Sequence, residues 1–350
     1  MLNVHPIILK DLQTITKSDL PWEKLYGKTV LITGANGFLP AYMVQTLLLL
    51  NENIGTDKLI KVIGLVRNIE KAKKKFESIL DNINFSLIVA DITMPIVINE
   101  KIDFIIHAAS QASPKYYGTD PVGTLSANTI GTFNLLNLAV ENYVEKFLYF
   151  SSSEVYGTVA NSNSIDENSY GLIDPTQVRS CYAESKRMGE TMCVSFSSQY
   201  KVPVNTVRPF HTYGPGLSFD DGRVFADFVA NIVRGEDIVM NSDGSSVRSF
   251  CYLADATVGF FTVLLKGENS ASYNVGNPKE SVSIAELADL LVDIYPDKKL
   301  RAIFNKVEKE GYLKSNVSKV CPSIEKLISL GWEPNTNLKD GFKRTIDSFI

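Results

Sequence analysis

Tyr182 and Lys186 stand four residues apart in RSCYAESKR (179–187), at the start of a helical pattern, so both side chains face the same side. A free tyrosine titrates near ~10, too high for a useful base at neutrality. A neighbouring ammonium stabilises the phenolate and lowers that value. The pair can therefore carry a proton to or from a substrate hydroxyl. Upstream, SSSEVYG (151–157) follows an apolar run that ends at Phe150. The Ser152 hydroxyl can hydrogen-bond a reacting oxygen, and Glu154 is either a base for a second proton or a solvated loop carboxylate. Four-residue Tyr–Lys spacing is common by chance, so its meaning rests on the elements that hold it.

From Lys28 onward, short β-branched runs alternate with longer helical ones. Strands are predicted at Thr29–Thr33, Lys61–Val66, Phe85–Ala90, Asp103–His107, Lys146–Ser151 and Val204–Arg208. Helices are predicted from about Pro40 to Asn51, at Ile69–Ile79 (charged and exposed), Thr124–Asn142 and Ser185–Tyr200. This alternation predicts an α/β fold: a Rossmann-type, doubly wound parallel sheet with helices on both faces. Ligands of such sheets bind beyond the carboxyl ends of the strands, where these motifs fall. After Pro209, loops rich in Gly, Ser and Asp (Gly214–Gly222, Asn241–Ser246) separate shorter elements. They predict a smaller C-terminal α/β lobe for substrate. The division expected is an arm at 1–27, a dinucleotide-binding domain at 28–208 and a substrate lobe at 209–350, with a return to the first domain around 247–275.

TGANGFL (33–39) lies between a strand and a helix, the context a glycine-rich dinucleotide loop requires. Gly34 and Gly37 allow the tight turn and close backbone approach, and Asn36, Phe38 and Leu39 complete the loop. The helix N-terminus then offers free N–H groups to a pyrophosphate. Pro40 replaces a possible third glycine and removes one donor. At the next strand end, Arg67 stands where an acidic residue often meets ribose hydroxyls, and an arginine there suits a 2′-phosphate. The reading is NAD or NADP, with Arg67 favouring NADP(H), or else a solvated arginine. Asp91 is placed to touch adenine, and Ala108, Ala109 and Ser110 let a cofactor lie close to the backbone.

With 350 residues, 45% hydrophobic and 21% charged, the chain reads as an ordinary globular protein with a sizeable core. A net charge of −4 argues against a nucleic-acid partner. No apolar run reaches the ~18 residues of a membrane span. The start lacks a signal-peptide pattern, and the four cysteines show no CxxC pair, so a cytoplasmic setting with free thiols is expected. The three histidines lack partners at metal-ligand spacing.

From Lys28 to the C-terminus the chain resembles the extended short-chain dehydrogenase/reductases of the NAD-dependent epimerase/dehydratase family, which modify nucleotide-diphosphate sugars. Its nearest branch by this resemblance is that of the UDP-glucuronate decarboxylases. HAASQASPKYY (107–117), NTIGTFNLL (128–136), SSSEVYG, RSCYAESKR, DGRV (221–224), SVRSFCYLAD (246–255), YNVGNP (273–278) and LGWEP (330–334) carry it in order. The resemblance implies that Ser152 meets the sugar oxygen, that Tyr182 is the acid/base, and that Lys186 holds the ribose and tunes the tyrosine. Ser153 and Glu154 match the pair used after oxidation at C4, and simple 4-epimerases usually lack that glutamate. Ile92, Pro209 and His211 are implied at the cofactor, and Ser113, Arg179, Arg223 and Arg248 at the substrate. A homodimer through the helices at about 124–142 and 185–200 is also implied.

Pro40, Arg67 and His211 depart from the decarboxylase pattern, His211 standing where asparagine is usual. Two enzymatic readings stay open: a decarboxylase that retains NAD, and an NADPH-dependent reductase of a nucleotide-linked keto sugar or ketose. A dehydratase or epimerase shares the scaffold. A non-catalytic cofactor-binding sensor is the reading from another class, and intact Ser152, Tyr182 and Lys186 count against it.

Overall fold

A computed structural model of the chain describes residues 2–159, 164–240, 242–304 and 319–350. Asn241, at the head of one expected loop, lies outside them. In chain order come α1 (Pro6–Thr16), β1 (Thr29–Thr33), α2 (Phe38–Leu50), β2 (Lys61–Val66), α3 (Ile69–Lys75) and β3 (Phe85–Val89). Then follow β4 (Phe104–His107), α4 (Lys115–Thr119), α5 (Pro121–Asn142), β5 (Lys146–Phe150), α6 (Ser180–Tyr200) and β6 (Val204–Pro209). Beyond these lie β7 (His211–Tyr213), α7 (Val224–Arg234), β8 (Ile238–Met240), β9 (Val247–Tyr252), α8 (Leu253–Lys266) and β10 (Ala271–Val275). The last elements are β11 (Ser281–Ser283), α9 (Ile284–Ile294), β12 (Ala302–Phe304), β13 (Lys319–Val320), α10 (Glu325–Ile328) and α11 (Leu338–Asp347).

The main sheet is parallel throughout, in the order β10-β6-β5-β4-β1-β2-β3. Every residue of β1 is buried, as a central parallel strand covered on both faces requires. The strand order reverses between β1 and β4, so a crevice opens beyond their carboxyl ends, the usual ligand site of this architecture. After β9 and α8 the chain returns to this sheet as β10, beside β6. A second sheet joins β9 with β7, β11 and β13, and β8 pairs with β12.

Local chemistry shifts several helix ends from the expected ones. The Asp120 side chain caps α5 by accepting from Gly123 N, and Pro121 fits the first helical position, so α5 starts before Thr124. Helix α6 starts at Ser180 rather than Ser185, which puts Tyr182 in its first turn. Helix α3 stops at Lys75, because Phe76 turns into the core against Phe85, with ring centroids 5.1 Å apart. A 3-10 turn then carries Ile79 inward.

Helix α2 is apolar nearly all round and buried along most of its length, which demands cover on every side. The N-terminal arm supplies part of that cover. Leu12 and Ile15 of α1 are fully buried, and the Asp11 carboxylate accepts from the Tyr42 and Tyr252 hydroxyls at 3.2 and 2.6 Å. The arm thereby ties α2 to the end of β9.

Candidate active site

The glycine loop closes on itself where Gly37 N donates to Gly34 O at 2.7 Å. Gly34 has φ +63°, and a Cβ there would sit 2.8 Å from Ala109 Cα, so only glycine fits between β1 and β4. Gly37 precedes α2, whose first turn leaves the N–H groups of Phe38 and Leu39 without intrahelical acceptors. Pro40 falls in that turn, beginning the helix two residues earlier than expected. Thr33 Oγ1 accepts from Ala109 N at 3.1 Å and bonds His107 Nδ1 at 2.9 Å. His107 also bonds Thr132 at 3.0 Å, and burial pushes its pKa well down, so it serves as a neutral strut.

Arg67 is exposed at the end of β2. Its charge helps lower Asp91, which is held down mainly by the Thr93 N–H and hydroxyl, and Asp120, held down mainly by Gln111. The arginine thus stands near two carboxylates at the carboxyl end of β2. The Ile92 side chain fills the space over Gly131 of α5, and the Ile92 carbonyl accepts from Asn134 Nδ2 at 2.9 Å.

The reacting groups meet where β5 ends. Ser152 Oγ accepts from Glu154 N at 3.2 Å, and its hydroxyl is near enough to the Tyr182 phenol to lower the phenol's pKa. Ser153, partly buried, opens the 3-10 turn that carries Glu154. Lys186 is 2% exposed, and its Nζ donates to Phe150 O at 2.6 Å. Burial pushes this lysine down to about 7 and the Tyr182 phenol up to about 12. The lowered phenol expected from the Tyr–Lys pair is therefore not found in the chain alone. Lys186 faces the Phe150 carbonyl, 5.9 Å from the Tyr182 ring centre, and burial is the largest influence on the phenol.

The remaining expected residues gather around this centre. Ser113 Oγ donates to Asp221 O, and Arg223 makes a two-pronged pair with Asp221, Nη2 to Oδ2 at 2.6 Å. Lys115 Nζ reaches Asp220 O at 2.7 Å, so the loop after β4 is fastened to the loop before α7. Arg248, on β9, donates to its neighbour's carbonyl, Val247 O, at 2.8 Å. Arg179 pairs with Glu154. Pro209 ends β6, and His211 begins β7 with its ring 5.8 Å from that of Phe250. Burial, with Arg248 and Arg223 nearby, drives His211 down to about 3, so its imidazole is neutral.

Two functional supports escape the sequence reading. The Tyr117 ring stacks on Tyr182, centroids 4.9 Å apart and planes 16° apart. Glu190 takes the Arg208 guanidinium at 2.9 and 2.6 Å, and its charge helps keep Lys186 protonated. The four-residue spacing of Glu190 from Lys186 on α6 is the signal that finds it.

Several buried polar atoms have no hydrogen-bond partner among the described residues. Ser110 Oγ, Gln111 Oε1, Ser151 Oγ and His211 Nδ1 all lie just past the ends of β4, β5 and β6. With the Gly34 contact and the free N–H groups of α2, these donors and acceptors suit a dinucleotide laid across the strand ends. Among the described residues no His/Cys/Asp/Glu group is arranged for a metal ion.

The description of the NAD dependent epimerase/dehydratase family matches residues 30–276. UDP-glucuronic acid decarboxylase 6 of Arabidopsis thaliana is 33% identical over 321 residues, covering 91% of this chain and 88% of the relative. UDP-glucuronic acid decarboxylase 1 of Danio rerio is 33% identical over 324 residues, 92% of this chain and 72% of that one. Among solved structures, an epimerase from Methanothermobacter thermautotrophicus superposes with a TM-score of 0.80 at 20% identity, covering 99% of this chain and 96% of its own. UDP-glucuronic acid 4-epimerase from Bacillus cereus, in complex with UDP-glucuronic acid and NAD, gives 0.76 at 24% identity, with 92% and 98% covered. The glycine loop, the Ser–Tyr–Lys centre and these likenesses agree: the chain belongs to the NAD-dependent epimerase/dehydratase family.

Proposed function

We propose that the chain decarboxylates a nucleotide-diphosphate-linked uronic acid, oxidising the sugar at C4, losing the carboxylate and returning the hydride. The observation that carries this reading is the meeting of Ser152, Tyr182 and Glu154 at one strand end, in a chain 33% identical to a decarboxylase over 91% of its length. A bound nicotinamide supplies the hydride acceptor and donor. Tyr182 takes and returns the proton of the C4 hydroxyl, with Ser152 orienting that oxygen. Lys186 holds the ribose, Ser153 and Glu154 serve the proton transfer that follows oxidation, and Arg223 and Arg248 face the diphosphate. The dinucleotide loop, Ala108 to Ser110, Pro209 and His211 cradle the cofactor.

A second reading rests on Arg67. An exposed guanidinium at the end of β2 favours a 2′-phosphate, and hence an NADPH-dependent reductase of a keto sugar. Mass spectrometry of the freshly purified, denatured protein separates the two. Tightly bound NAD in one-to-one amount supports internal recycling, and a site that arrives empty and prefers NADPH overturns it.

The reading includes a cytoplasmic homodimer. No helix among the described residues is long and apolar enough to cross a membrane. Helices α5 and α6 pack on each other and leave Leu125, Ile130, Phe133, Met188, Val194 and Tyr200 exposed, a patch that a second copy would cover. A monomer by light scattering would refute the dimer.

A further inference from the structure

Arg179, at the N-terminal edge of α6, spends both terminal nitrogens on one carboxylate. Nη1 donates to Glu154 Oε2 at 3.0 Å and Nη2 to Oε1 at 3.2 Å. The same guanidinium lies 5.9 Å from the centre of the Tyr117 ring, which stacks on Tyr182. Tyr117 is itself fixed: it is 1% exposed, and its hydroxyl donates to Ala112 O at 2.9 Å. On the other side, Ser152 Oγ accepts from Glu154 N at 3.2 Å and its hydroxyl lies beside the Tyr182 phenol. Glu154 and Tyr182 are thus connected twice, through Ser152 and through Arg179 and Tyr117.

We propose that Arg179 is a positioning residue, which holds the Glu154 carboxylate at a fixed place relative to the Tyr182 phenol so that both meet one sugar as a rigid unit. This role differs from the substrate contact implied by resemblance, because both terminal nitrogens of the guanidinium already face Glu154 within the chain, with Nε buried and unpartnered. The inference rests on the reading that Glu154 serves the step after oxidation.

Three physical points carry it. A glutamate on a short 3-10 turn has free rotamers, and a guanidinium fork fixes both its oxygens where an ammonium would hold one. The pair is partly exposed, 27% and 29%, so the carboxylate it fixes stays open to a bound molecule. Two proton transfers on one bound sugar need both groups within a fraction of an ångström of their productive places.

The test follows turnover of UDP-glucuronate by Arg179→Gln, Arg179→Lys, Glu154→Gln and the double variant Arg179→Gln/Glu154→Gln. Arg179→Gln should keep KM within about threefold and slow the step after oxidation by about tenfold or more, so that reduced-nicotinamide absorbance builds up. Arg179→Lys should recover part of the rate, and the double variant should be no slower than Glu154→Gln alone. A tenfold rise in KM at unchanged kcat, or losses that multiply in the double variant, overturns the proposal. A crystal structure of Arg179→Gln gives the arm that needs no substrate. The Glu154 carboxylate should shift by about 1 Å or more while Tyr182 stays, and an unmoved Glu154 refutes the role. Failure of the wild type to turn over UDP-glucuronate would instead sink the decarboxylase reading, and the crystal structure would still decide this one.

Discussion

Lys186 Nζ donates to the Phe150 carbonyl at 2.6 Å, with its side chain buried beneath Tyr149 and Tyr182. The ammonium is anchored to the last residue of β5.

That burial predicts a pH signature. The folded value of Lys186 falls from 10.5 to about 7, so the unfolded chain binds the proton more tightly. The group therefore weakens the ligand-free fold as pH falls from 10.5 toward about 7, by about 1 kcal/mol per pH unit. Lys186→Met should flatten this slope in thermal melts and abolish turnover. An unchanged slope would show that the lysine stays charged without strain.

Tyr182→Phe removes the phenol and keeps the ring that stacks on Tyr117. Loss of kcat by about 10²–10⁴-fold, with nucleotide-sugar binding retained in calorimetry, is the expected result. Unchanged turnover would exclude Tyr182 as the acid/base, and a chain without turnover from the outset would be the sensor.

Arg67→Asp separates the cofactor readings. If Arg67 meets a 2′-phosphate, NADPH binding weakens by about 1.5–3 kcal/mol while NADH affinity is little changed. Equal losses for both would assign Arg67 to its acidic neighbours Asp91 and Asp120.

Asp11 gives the opposite pH trend. Burial raises its carboxyl from 3.8 to about 6, against the pull of Tyr252 and Arg344. A carboxyl raised in the fold contributes stability that is full below 3.8 and is lost as pH rises through about 6. Asp11→Asn should remove that loss and raise Tm at neutral pH by a few degrees, measured by scanning calorimetry at several pH values. A lower Tm for Asp11→Asn at pH values above 6 would show that the charged form is the one the arm needs.

The sheet was legible because its strands are short, β-branched and fully buried, a pattern that only a covered parallel sheet explains. The glycine loop was legible because Gly34 needs φ +63° beside Ala109. Helix ends were less so: the turn of Phe76 into the core is set by Phe85, nine residues on. The Tyr–Lys spacing shows that both side chains share one helix face but not how deep they lie, and depth raises the Tyr182 phenol in the ligand-free chain where the spacing alone suggests a lowered one. Arg179 shows the same limit. Its partner Glu154 lies twenty-five residues away, across the end of β5, where only the folded chain brings them together.

The central claim is carbon dioxide loss with internal recycling of the hydride. The direct measurement is turnover of carboxyl-labelled UDP-glucuronate by freshly purified protein with no cofactor added. Labelled carbon dioxide is expected in amount equal to the nucleotide-linked pentose formed, with no net reduced nicotinamide. Absence of carbon dioxide from protein shown to hold NAD would contradict it.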